Sequence, residues 1–219
     1  MRKNPLSTSI GSKLLIALTG LTLVIFLLFH LAGNLLVFAG ENTFNSYAGA
    51  LSSQPVLVIA FELGLLLIFL THAYRAARNF LANRNARPVS YHRKEWAGSP
   101  SRKSAASSTM IVTGTIVLVF IVLHLKHFKF GGIEEHAGGL YGLEMAVFSD
   151  PLTVLFYVVS LAVIGFHLWH GCWSALQSLG LGSARYTPRL ALFAKVLAVL
   201  ITGGFISIPL WVYFLGGRQ

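Results

Sequence analysis

The chain has 219 residues, 55% of them hydrophobic and only 11% charged, with a mean hydropathy of +0.69, which argues against a soluble domain and for a polytopic membrane protein. Its formal charge of +10 and pI near 10.1 do not point to nucleic acid, because the charges lie between apolar runs and follow a topological rule. One cysteine, Cys172, falls within an apolar run, so no disulfide framework exists.

Five apolar stretches predict an all-α membrane protein, a bundle of five transmembrane helices forming one domain over residues 1–219. The first, about 12–39, follows a basic start of Arg2, Lys3 and Lys13. It is longer than the apolar core of a secretory signal and lacks a convincing cleavage site, so it is expected to be retained. The others cover about 55–80, 108–128, 151–179 and 190–215, and Pro55 and Pro151 suit a first helical turn. Of the 17 Lys and Arg, 14 fall at the N-terminus, in Arg75 to Lys103 and in Arg185 to Lys195, all on one side if there are five spans. That side is expected to be cytoplasmic, with the N-terminus inside and the C-terminus outside.

Within these spans the histidines require an explanation, since a titratable group in a bilayer is costly without a partner. At about 1.5 Å per residue, His30 and His124 fall in the outer half of the first and third spans, and His72 and His167 in the inner half of the second and fourth. Crossed pairing would ask ligands about 15 Å apart along the membrane normal to meet at one iron. Two bis-histidine b haems, His72 with His167 inside and His30 with His124 outside, fit the depths. The lack of a CxxCH sequence excludes covalent attachment, leaving coordination and packing to hold them. The bland alternatives are helix-to-helix hydrogen bonding or a proton relay. His127 and His170, each three residues beyond a candidate ligand, can replace it or bond a propionate.

Weaker signals surround this set. Arg75, one turn inward of His72, can pair with a propionate or mark the positive-inside boundary. Gly33, Gly165 and Gly171 can admit a flat macrocycle, while Gly20, Gly203 and Gly204 read as helix-packing residues. Trp169 and Trp173 suit either a porphyrin face or the lipid interface. Glu62 stands alone as a carboxylate well inside a span and is a candidate quinone partner, with a structural role as the alternative. Asn42, Asn45 and Tyr47 in the first outer loop are further quinone candidates. No second buried acid beside the histidines is evident, so no proton route coupled to the haems is expected. His92 and His136 are expected to be solvent-exposed.

The segments LFHLAGNLL, ENTFNSYAGAL, THAYRA, VLHLKHF and GFHLWHGCWSAL resemble the membrane cytochrome b subunits of succinate dehydrogenases and quinol:fumarate reductases, more closely the dihaem cytochrome b558 type. The resemblance spans nearly the whole chain and implies His30, His124, His72 and His167 as ligands in the same pairing. It also implies a bacterial cytoplasmic membrane location, a flavoprotein and an iron–sulfur subunit docked on the cytoplasmic side, menaquinone as substrate, and a possible higher oligomer of the complex. On this reading electrons enter at the inner haem, cross to the outer one and reduce quinone, with fumarate reduction running in reverse. The basic segment Arg75 to Lys103 is a candidate docking surface for the soluble subunits. The alternatives are the cytochrome b of another quinone-linked dehydrogenase or hydrogenase, or a proton-coupled transporter without haem. Internal repeats or paired broken helices would favour the transporter, and neither is evident.

Overall fold

A computed structural model describes residues 8–86, 109–183 and 185–216, and among these the only regular structure is helical. Helix α1 covers Ser9–Asn34 and runs through a 3-10 turn, Leu35–Ala39, into the short α2, Glu41–Ser52. Helix α3 is Pro55–Asn85 and α4 is Met110–His124, continued by a π-helical turn at Leu125–Lys129. A second short helix, α5 (Gly139–Val147), precedes α6 (Pro151–Ser178) and α7 (Thr187–Leu215). Five of these segments are long and apolar enough to cross a bilayer: Ile10–Ala39, Pro55–Asn85, Met110–Lys129, Pro151–Ser178 and Thr187–Leu215. Each matches an expected span to within a few residues except α3, which continues five residues past the expected end and carries Arg84 in its last turn. Residues 87–108, including His92 and much of the expected docking segment, lie outside the described residues.

Local chemistry sets the helix ends. Thr8 caps α1 by accepting from Gly11 N, and Asp150 caps α6 by accepting from Thr153 N at 2.8 Å, with Pro151 in the first turn. The hydrogen bonds from Thr153 hold the Asp150 carboxyl below its ordinary range.

Apolar composition runs all round these helices, so burial rather than sequence periodicity reveals which face is the core. On α6, Val154, Tyr157, Leu161, Ile164, Leu168, Cys172 and Ala175 are buried at spacings of three and four, one stripe of a helix. That stripe meets Ala194, Ala198, Ile201, Ile208 and Val212 of α7, the most extensive helix pair in the fold. Small residues bring the two backbones close, and a Cβ at Gly165 would stand 3.1 Å from Thr202 Oγ1. Helix α6 also packs on α1 and α4, whereas α3 buries no residue and is held mainly by α1. The bundle is therefore centred on α6, with the other outward faces left to lipid.

Candidate functional site

Two levels of histidine are built into this bundle. At the inner level α3 supplies His72 and α6 supplies His167, and a threonine on a neighbouring helix holds each ring at Nδ1. His72 Nδ1 is 3.1 Å from Thr19 Oγ1 and 3.2 Å from the Ile16 carbonyl, both on α1. His167 Nδ1 is 3.1 Å from Thr113 Oγ1 on α4. The residue after each threonine is a glycine turned to the same ring. A Cβ at Gly20 would stand 3.0 Å from His72 Cε1, and one at Gly114 would stand 3.5 Å from His167 Cε1. His72 and His167 lie within electrostatic reach of one another.

At the outer level His30 of α1 and His124 at the end of α4 face each other, with ring centroids 5.9 Å apart and planes at 88°. Phe26 stacks on His30 at 5.2 Å and Phe120 on His124 at 5.6 Å, each one turn before its histidine. Asn34 donates to the His30 carbonyl at 2.7 Å and its amide nitrogen lies 3.3 Å from His30 Nδ1. His124 Nδ1 is buried without a partner among the described residues. Thr19 and His30 are 11 residues apart on one helix and Thr113 and His124 are 11 apart on another, which separates the levels by about 16 Å.

This arrangement fits haem b. Among the described residues the Nε2 atoms of all four histidines have no hydrogen-bond partner. No group of three or more His, Cys, Asp or Glu among those residues can hold an ion by itself. Two imidazoles alone leave a metal short of ligands, and a porphyrin supplies the remainder. Rings bonded to one first-row metal at about 2 Å from opposite sides stand about 6 Å apart between centroids, close to the separation of His30 and His124.

The rival histidines go elsewhere. In the π-helical turn after His124, His127 stacks on Tyr157 at 5.8 Å between centroids, and the tyrosine hydroxyl lies 3.1 Å from His127 Nδ1. Thr113 clasps His167 and not His170, which sits half-buried one turn further along α6. Arg75 is half-buried one turn inward of His72.

The weaker candidates have these neighbours in the fold. Gly33 is occupied by the Tyr47 ring and Gly165 by Thr202, while Gly20, read as a packing residue, faces an inner histidine. Glu62 is ion-paired with Lys129 across the gap from α3 to the π-helical turn, with both side chains nearly half exposed. Asn45 spends both ends of its amide on α5, donating to the Gly138 carbonyl at 2.7 Å and accepting from Tyr141 N at 3.1 Å. Asn42 is exposed. His136 is half-buried, its Nδ1–H donating to the Gly132 carbonyl at 2.9 Å. Trp169 lies under the Lys195 ammonium, 5.5 Å from ring centroid to nitrogen, and Trp173 packs against the core.

Sequence reasoning missed a second cluster at the outer end. Lys126, His127, Gly131, His136, Leu143, Ala146 and Val147 line a shallow, open hollow of about 290 Å³. On the same short helix as Leu143, Ala146 and Val147, Glu144 is 3% exposed, and burial alone pushes its carboxyl up to about 8. Glu144 lies within electrostatic reach of Tyr157, whose ring packs against His124 and His127. Only the fold of the loop between α4 and α6 brings these residues together; they carry no spacing signal.

Comparison with known proteins agrees with this architecture. Residues 83–205 match the family model described as succinate dehydrogenase/fumarate reductase transmembrane subunit. The chain is 28% identical over 179 residues, 79% of its length and 81% of the relative's, to the succinate dehydrogenase cytochrome b558 subunit of Bacillus subtilis (strain 168). No solved structure matches the chain. With five membrane-spanning helices and a family match over more than half its length, the chain belongs to the transmembrane cytochrome b subunits of succinate dehydrogenase and fumarate reductase.

Proposed function

We propose that this chain is the membrane anchor and dihaem electron-transfer subunit of a succinate:quinone oxidoreductase. It joins a flavoprotein and an iron–sulfur subunit on the cytoplasmic side to menaquinone near the outer side. The observation that carries the reading is the arrangement of four imidazoles from four helices as two sets about 16 Å apart along the bundle. Haem b bound at each level supplies a one-electron carrier inside an apolar bundle whose own side chains offer none.

His72 and His167 hold the inner group, His30 and His124 the outer one. Phe26 and Phe120 cover the outer imidazoles and exclude water from them. On this reading Arg75, one turn inward of His72, pairs with a propionate at the inner level. The open hollow at the outer end suits a quinone head group, because it sets Lys126, His127 and His136 beside Leu143, Ala146 and Val147, with His127 only three residues along the chain from His124. His127 and His136 offer ring nitrogens for the protons that quinone reduction takes up. The ion pair of Glu62 with Lys129 favours the hollow over Glu62 as the quinone contact.

The test is a reduced-minus-oxidised spectrum of the purified protein with pyridine haemochrome quantification, repeated on His72→Ala and His30→Ala. Two b haems per chain are expected, with each substitution removing a different one. A folded, membrane-inserted protein with no haem would overturn the reading in favour of a proton-coupled transporter.

A further inference from the structure

Helices α1 and α4 carry the same pattern. Thr19, Gly20, Phe26 and His30 on α1 recur at identical spacing as Thr113, Gly114, Phe120 and His124 on α4. The corresponding side chains do the same things. Each phenylalanine stacks on its histidine, and each threonine reaches the inner histidine of the next membrane-spanning helix, α3 or α6. No repeat was expected from the sequence, and this one became visible through the contacts.

Hydrogen-bond chemistry gives the threonines a definite role. A hydroxyl has one hydrogen to donate, and that of Thr19 goes to the Leu15 carbonyl at 2.6 Å. Its lone pair is then left to face His72 Nδ1. The Ile16 carbonyl, 3.2 Å from the same nitrogen, can only accept. Both neighbours require a hydrogen on Nδ1, which leaves the lone pair on Nε2. Thr113 has the same pair of neighbours, the Met110 carbonyl at 3.2 Å and His167 Nδ1 at 3.1 Å, and donating to the carbonyl turns its lone pair to the ring. Among the described residues the outer pair has no such clasp, since His30 Nδ1 faces an amide nitrogen and His124 Nδ1 has no partner.

We propose that Thr19 and Thr113 are positioning residues for the inner haem: each fixes the tautomer and ring orientation of one axial imidazole and raises its basicity through the Nδ1–H bond, while the adjacent glycine leaves room for the ring. A more basic ligand favours the ferric state, so the two threonines hold the midpoint potential of the inner haem down. This inference rests on the reading of His72 and His167 as the two ligands of one haem.

The experiment is a redox titration with low-spin EPR of the haem-loaded protein, comparing Thr19→Val, Thr113→Val and the matching Ser variants with the parent. Each Val variant is expected to shift one haem midpoint upward, the same haem in both and the one that His72→Ala removes, with the other haem unmoved. Serine is expected to return it to the parent value. Loss of that haem from both Val variants with retention in the Ser variants would support the same role. Two haems with unmoved midpoints in the Val variants would overturn the proposal while leaving the dihaem reading intact. A parent protein lacking two haems would instead overturn the dihaem reading itself.

Discussion

Glu144 is buried at 3% exposure on a short helix outside the membrane spans, so its ionisation is set against the fold. Its folded pKa of about 8 lies above the ordinary 4.5. Below pH 4.5 folded and unfolded chains both hold the proton and the group costs nothing. As pH rises towards 8 the unfolded chain releases the proton and the folded one does not, so stability falls by about 1.4 kcal/mol per pH unit and levels off above the folded pKa. Glu144→Gln is therefore expected to match the parent near pH 5 and to unfold at higher temperature near pH 8, as followed by circular dichroism in detergent. The acid was legible in the sequence as a loop residue and its burial was not, because a polar residue among Leu143 and Met145 has no periodicity to betray which way it turns. His30, His72, His124 and His167 were legible because a bilayer makes every titratable side chain conspicuous. Thr19 and Thr113 were invisible for the converse reason, since threonine in a membrane helix satisfies its hydroxyl on its own backbone and needs no explanation until a ring is seen beside it.

Length and apolarity placed the five spanning helices to within a few residues at nearly every end, because only a helix satisfies its backbone in lipid. The outer cap was less legible. Helix α2 reads as a polar loop and α5 as an ordinary connection, yet the Asn45 amide ties them together through two backbone groups of the α5 region. Removing that amide leaves the Gly138 carbonyl and the Tyr141 N–H without these partners. Asn45→Ala is expected to cost about 1–3 kcal/mol in chemical denaturation, with the haem content of the native protein unchanged from the parent. The π-helical turn at Leu125–Lys129 also escaped sequence reading, since nothing in LKHFK departs from α-helical composition. It separates His124, which faces His30, from His127, which lines the hollow.

Across the whole molecule, the cluster of 14 of 17 Lys and Arg in three segments predicts one topology, with the loop before α7 cytoplasmic and the turn between α2 and α3 outside. The chain suits a direct check, because Cys172, its sole cysteine, is only 3% exposed. In intact cells a membrane-impermeant maleimide is expected to label Ser53→Cys, and to label Ser183→Cys only after the membrane is opened. The reverse pattern would invert the placement of the partners and of the quinone. The recurring pattern on α1 and α4 has a further consequence, for symmetry. The first four of the five spans form two hairpins, and in each the first helix carries a clasp and an outer histidine and the second an inner histidine. Two identical copies of such a hairpin, docked about a two-fold axis along the membrane normal, would already set four imidazoles at two depths.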